Sequence, residues 1–271
     1  MKNKLLKVLI LPIIGISLFS CNNTTSSVAS SNSQASSENS SIEETTSFTN
    51  PITVTFKDYD SKTIYTITIE SGSMPYYDAY TPTRESDENF SYTFAGWDRP
   101  FTELTKNTVY TAQYNKTVIN DTYSTDGVNY TLSEDGTYYI ASSFDPYTSG
   151  VIKSISEIVV AKTYDGKPVK EIGMNFCNPS QPFALEIVYL PDSITTINSN
   201  AFAYLNDFKQ IILSKNVTTI KTNAFNNCPN LCIYSYAEEK PSTWEDGYAD
   251  KDVKTYFASQ WEMINAGPLL K

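Results

Sequence analysis

Between residues 185 and 236 one apolar template recurs at a fixed step of 23 residues. Leu185 aligns with Phe208 and Leu231, Val188 with Ile211 and Tyr234, and Leu190 with Leu213 and Tyr236. The alignment continues through Ile194 with Val217, Ile197 with Ile220, and Ala201-Phe202 with Ala224-Phe225. Thr195-Thr196-Ile197 and Thr218-Thr219-Ile220 match outright, as do Asn200-Ala201-Phe202 and Asn223-Ala224-Phe225. A unit this short cannot bury its apolar face alone, so a fixed period means stacked units that bury it against one another. This part of the chain is therefore expected to fold as a solenoid of about three repeats.

The repeated residues resemble the BspA-like leucine-rich repeat, in its Ile-Pro/Val-x-x-Ile-Gly-x-x-Ala-Phe form. Leu190-Pro191-Asp192-Ser193-Ile194-Thr195-Thr196-Ile197 is a close match. A degenerate copy at Asp165-Gly166-Lys167-Pro168-Val169-Lys170-Glu171-Ile172-Gly173 resembles the opening repeat of that family. Its continuation, Met174-Asn175-Phe176-Cys177, reads as one residue short and lacks the alanine, which predicts an irregular turn. Later copies carry Asn198 and Lys221 where the family usually has glycine, so those turns are expected to differ in detail. Upstream, Tyr123 to about Phe144 places Asp126-Gly127 and Asp135-Gly136 on either side of Val128-Asn129-Tyr130-Thr131-Leu132, the pattern of a β-hairpin cap. The repeat domain with this cap is assigned to 118–236. A C-terminal cap or tail is assigned to 237–271, with Trp244 or Trp261 packing on the last repeat; an exposed tryptophan there would instead be a binding candidate.

Residues 51–117 carry a different pattern. Ile52-Thr53-Val54-Thr55-Phe56 and Tyr65-Thr66-Ile67-Thr68-Ile69 alternate apolar and polar residues as half-buried strands do, with Asp58-Tyr59-Asp60-Ser61 as the turn between them. Phe94-Ala95-Gly96-Trp97-Asp98 and the closing Val109-Tyr110-Thr111-Ala112-Gln113-Tyr114, with Pro82-Thr83-Arg84, make the segment similar to an internalin-type B repeat. The resemblance implies a small β-grasp-like fold used as a spacer or adhesion unit, with Ser61 standing where the family often has glycine. Trp97 is expected in the core, because large aromatics dominate burial in so small a module. The overall fold class is thus mainly β: a small β-grasp-like module followed by a short leucine-rich repeat solenoid with a β-hairpin N-cap.

Ahead of both lies an export signature. Lys2, Lys4 and Lys7 precede an apolar run from Val8 to Phe19 that is too short to span a bilayer comfortably. Leu18-Phe19-Ser20-Cys21 resembles the lipobox of bacterial lipoproteins, which implies a signal peptide at 1–20 and lipidation of Cys21. Two acyl chains suffice for stable anchoring. Residues 21–50 then hold the lipidated cysteine and a Ser/Thr/Asn-rich stretch too polar to bury its own surface, expected to act as a flexible tether. The chain is accordingly expected at the cell membrane, lipid-anchored and facing outward.

Composition excludes several functions. There is no histidine, which removes Ser-His and Cys-His nucleophiles, the usual zinc sites and the commonest general base. The net charge of −10 becomes −13 once the three signal-peptide lysines are gone, and no basic stripe appears, so nucleic acid is not a partner. The carboxylate pairs Asp58/Asp60 and Glu238/Glu239 read as a turn and a solvated face. Cys228 stands where Leu205 stands one repeat earlier and reads as a buried apolar thiol, although a bridge to nearby Cys232 is also open. No catalytic, metal or cofactor residue is expected. Alternating βα units, which a solute-binding lipoprotein would need, are absent. The expected function is an adhesin-like, non-catalytic surface lipoprotein whose concave repeat face meets an extracellular protein or glycan. The alternative is an architectural display protein of the envelope with no separate ligand. Twenty tyrosines supply amphipathic contact groups, without sequence showing which are exposed.

Overall fold

The structure is a computed structural model that describes residues 48–146, 155–177, 184–264 and 267–271. The signal segment, the Cys21 lipobox and nearly all of the tether lie outside the described residues. Regular structure among the described residues is all strand. These residues divide into two compact units, one of 48–82 with 96–113 and one of 83–95 with 114–271.

The smaller unit is built on β1 (Pro51–Lys57), β2 (Thr63–Glu70), and parts of β3 (Phe90–Trp97) and β4 (Thr108–Val118). The sheet order is β2-β1-β4-β3, with β1 antiparallel to β2 and parallel to β4, the pairing expected of a β-grasp-like sheet. Alternation along β1 buries Ile52, Val54 and Phe56, and the register sets Ile69 and Ile67 opposite the first two. Phe56 is the centre of the core. Its ring lies 5.4 Å from Tyr110 in a stacked pair and 4.9 Å and 5.0 Å edge-on from Trp97 and Tyr77. Trp97 is half-buried and packs against this core through Phe56 and Tyr77. Ser61 has a left-handed φ of 70°, so the turn keeps the geometry that glycine serves elsewhere.

The larger unit opens with the hairpin β5 (Val128–Leu132) and β6 (Tyr139–Phe144), then β7 (Glu157–Val159), β8 (Thr163–Tyr164) and β9 (Lys167–Ile172). The repeats supply β10 (Ile187–Tyr189), β11 (Thr196–Ile197), β12 (Gln210–Leu213), β13 (Thr219–Ile220) and β14 (Cys232–Ser235). After them come β15 (Lys254–Tyr256) and the hairpin β16 (Trp261–Ile264) with β17 (Gly267–Leu270). Successive coils build one all-parallel sheet, β15-β14-β12-β10-β7, and a second, β13-β11-β9-β6-β5, closed by the β5–β6 hairpin as cap. The 23-residue alignment holds where Val188 pairs with Ile211 and Ile197 with Ile220, but it slips by one at the last repeat. There Ile211 pairs with Ile233 and Leu213 with Ser235, not with Tyr234 and Tyr236, because the inward apolar position of β14 is Ile233. Ile158, Val188, Ile211 and Ile233 point between the sheets, where they meet Ile172, Ile197, Ile220 and the aromatic column of Phe176, Phe202 and Phe225.

Two further sequence expectations change. The opening repeat is not one residue short. Asn175, Asn200 and Asn223 all sit three residues after the inward isoleucine, with left-handed φ values of 55°, 57° and 62°. The next two residues are then Phe176-Cys177, Ala201-Phe202 and Ala224-Phe225, all fully buried. The Cys177 N–H donates to Ala201 O as the Phe202 N–H donates to Ala224 O. The large and small residues have exchanged places, and nothing is missing. Second, the segment assigned as tail begins with another coil. Trp244 follows Ile220 in the ladder, Gly247 (φ 75°) follows Asn223, and Tyr248-Ala249 follow Ala224-Phe225. Val253 then leads into β15, which pairs with β14.

Candidate interaction surface

Cys21 lies outside the described residues; the other residues weighed for chemistry have structural roles or lie on the surface. The Asp58 and Asp60 carboxylates accept backbone N–H groups of Tyr59 and Lys62, so they build the β1–β2 turn. Glu238 and Glu239 are exposed. Among the described residues no group of three or more His, Cys, Asp or Glu is placed to hold a metal ion. Cys177 and Cys228 are free, buried thiols, so Cys228 does not bridge to Cys232. Burial pushes the Cys177 thiol far up and Cys228 up to about 11. Thiolate is the reactive form, so both behave as apolar core groups.

The two tail tryptophans are structural. Each is only 2% exposed. The Trp244 indole N–H donates to Val217 O at 3.2 Å, and that of Trp261 to Ser235 O at 3.0 Å. Trp261 also lies 5.4 Å from the Tyr234 ring and 4.8 Å from Tyr236. Neither presents a ring to a ligand.

The two solenoid sheets differ in what covers their outer faces. On the β7–β15 sheet, Val159, Ile187 and Tyr189 are packed under Phe90, Tyr92, Val118 and Tyr123. Lys116 seals that contact with an ion pair to Glu157 at 2.7 Å and lies 4.0 Å from the Phe90 ring. At the other end Tyr234 and Tyr256 stack, with Trp261 against Tyr234. This face is largely occupied by the chain itself.

The β9–β11–β13 face is open and polar. Alternation turns Ile172, Ile197 and Ile220 inward, so Glu171, Thr196 and Thr219 face outward in register. Beside them runs a hydroxyl ladder: Thr195 Oγ1 donates to Lys170 O, Thr218 Oγ1 to Thr195 O, and Thr243 Oγ1 to Thr218 O. Asn198 donates to Glu171 Oε2 at 3.0 Å and to Ile172 O at 2.9 Å, which explains an amide where glycine is usual. Tyr138 donates to Glu171 at 2.5 Å, and this hydrogen bond chiefly pushes the phenol up to about 12. The result is a fixed row of hydroxyl, amide and carboxylate groups at the spacing of adjacent strands, roughly 4.8 Å. Sequence alone did not single out this row, although the matched Thr-Thr-Ile triplets held the signal.

Among the described residues the most exposed tyrosines are Tyr59, Tyr76, Tyr80, Tyr164 and Tyr204. Tyr76 and Tyr80 belong to the loop after β2, where Tyr77 donates to Tyr80 O at 2.9 Å. Tyr164 stacks on Tyr130 at 4.4 Å in the cap.

Residues 170–244 match the family model of the BspA type leucine rich repeat region, in six copies. That stretch is thus similar to BspA-type leucine-rich repeats, a class of repeat that generally binds proteins. A solved leucine rich repeat protein from T. pallidum is similar at 14% identity with a TM-score of 0.27, over 50% of this chain and 86% of that one. No curated protein matches the chain.

Proposed function

We propose that this chain is an adhesin-like, non-catalytic surface lipoprotein, anchored through Cys21, whose open β9–β11–β13 face meets an extracellular protein or glycan. The observation that carries the reading is the rigid polar row of Glu171, Thr196 and Thr219 on a repeat class suited to binding. Its hydroxyl and amide groups suit hydrogen bonding to peptide backbone or sugar hydroxyls. Residues 51–117, read as an internalin-type B repeat, serve as the spacer between tether and solenoid.

The test is binding of the chain to matrix proteins, mucins and cell-wall glycans, beside Thr196→Lys and Thr219→Lys. Both substitutions replace outward side chains and leave the core untouched. Saturable binding that weakens in these variants supports the reading. Absence of any saturable binding rejects the adhesin role in favour of envelope display. Binding indifferent to both substitutions moves the ligand to another face. Separately, Cys21→Ser should release the protein from the membrane fraction, and retention of that variant would refute the lipid anchor.

A further inference from the structure

Strand edges expose unpaired N–H and C=O groups, and folded proteins usually blunt them with short strands, bulges, proline or charge. Most edges of this molecule are blunted. Strands β7 and β15 have three residues each, and β13 has two. On β7, Thr125 N–H donates to Val159 O and Thr125 Oγ1 accepts from Val159 N–H. Strand β5 carries an irregularity at Asn129/Tyr130, and β3 is broken near its end by left-handed Gly96 (φ 113°).

From Tyr65 to Ile69 strand β2 has none of these devices, its one bulge being confined to Ile64 near its start. It is the outermost strand of its sheet, eight residues long, with the sequence Thr-Ile-Tyr-Thr-Ile-Thr-Ile-Glu. It contains no proline, and its one register shift falls at its start, opposite Phe56/Lys57. Six of its residues are β-branched, the class that best fits a pleated surface. Its only charges flank the strand, Lys62 just before it and Glu70 at its end.

We propose that β2 is a self-association edge, along which two copies of this chain pair antiparallel about a two-fold axis. The end charges select this occupant and this direction. An antiparallel pairing centred on Thr66 sets Thr66 opposite Thr66, Ile64 opposite Thr68, and Lys62 opposite Glu70 at both ends. A parallel pairing would set like charges together. Glu70 is already ordered for this role: its carboxylate accepts from Thr49 N–H, Thr49 Oγ1 and Asn50 N–H at 2.8–2.9 Å. A carboxylate has about four acceptor positions, so one stays open to a lysine. Thr66 and Thr68 are exposed, while Ile67 and Ile69 stay in the core, so pairing requires no repacking. An isologous contact of this kind closes at two copies and does not propagate.

Sedimentation velocity of the full chain, in detergent where the anchor is attached, reads the association from low to high micromolar concentration. The expected result is a concentration-dependent dimer. Thr66→Lys sets two lysines directly opposite each other and should raise the dissociation constant several-fold. Thr53→Lys, an exposed substitution on interior strand β1, should leave it unchanged. Thr66→Cys should form disulfide-linked dimers under mild oxidation, and Thr53→Cys should not; this pair decides the matter if the lysine variant fails to fold. A chain that stays monomeric throughout, or a dimer indifferent to Thr66→Lys and not cross-linked through Thr66→Cys, overturns the proposal.

Discussion

Two glycines in the solenoid should respond to the same substitution for opposite reasons. Gly247 has φ 75°, and a Cβ placed there would find its nearest neighbour, Thr222 Cγ2, at 4.0 Å. Space is available, so Gly247→Ala should cost only the left-handed backbone penalty of about 1–2 kcal/mol. Gly173 is not left-handed, but its Cβ would lie 2.8 Å from Ser142 O and 2.9 Å from Ser142 Cα, on cap strand β6. Those are backbone atoms, held close by the Gly173 N–H bond to Ala141 O at 2.8 Å. Gly173→Ala must push the cap off the first coil, an overpacking cost of about 1–3 kcal/mol or more. Asparagine separates the two cases. Asn175, Asn200 and Asn223 occupy the Gly247 position in the other coils, so Gly247→Asn should recover most of the loss. Gly173→Asn should be at least as damaging as Gly173→Ala, because asparagine adds volume to the same collision. Urea titrations followed by far-UV circular dichroism give the comparison. The reasoning fails if Gly247→Asn is no better than Gly247→Ala, or if asparagine rescues position 173.

Three further outcomes are expected. Cys177 and Cys228 should resist a thiol-specific reagent at pH 8 in the native protein and react after denaturation, and prompt native reaction would contradict their burial. Trp244→Phe should cost about 1 kcal/mol in urea titration, as the ring is largely kept while the indole bond to Val217 O is lost; no change in midpoint would show that bond to be idle. Glu245 is held down from 4.5 to about 2, first by the Thr222 hydroxyl and then by Lys221 and the Thr222 N–H. Because its folded value is the lower one, its contribution is full above the ordinary carboxylate range and lost as pH falls from 4.5 through about 2. Glu245→Gln should therefore flatten the acid loss of stability in that window, and an unchanged acid profile would count against it.

The interior repeats were legible because each position has one job and one environment. Leu205 and Cys228 exchange as medium and small apolar groups in the same buried place, and the matched triplets fix the β11–β13 register without any coordinates. The paired strands of residues 51–117 were legible for a similar reason, since alternation along β1 and β2 is the burial pattern itself. The open polar face was not legible. Whether an outward residue meets solvent depends on chain that folds over it, and Phe90, Tyr92 and Trp261 cover one sheet from distant points in sequence.

The ends of the stack explain the remaining departures. Interior coils carry small-then-large pairs, Ala201-Phe202 and Ala224-Phe225, whose rings stack at 5.6 Å and 11°. The first and last coils reverse the order to Phe176-Cys177 and Tyr248-Ala249. A terminal coil has a repeat on one side only, so its rings need not continue the stack. Phe176 meets Phe202 edge-on at 72°, and Tyr248 turns to Trp244 at 68°. The last coil also replaces the inward isoleucine with Trp244, whose indole N–H satisfies a carbonyl of the coil before it, and uses Glu245 to accept the Thr222 N–H. These substitutions break the apolar template at the point where stacking must stop. A solenoid's boundary is thus written in residues that satisfy backbone groups toward one side, and a search for the repeated pattern passes over them.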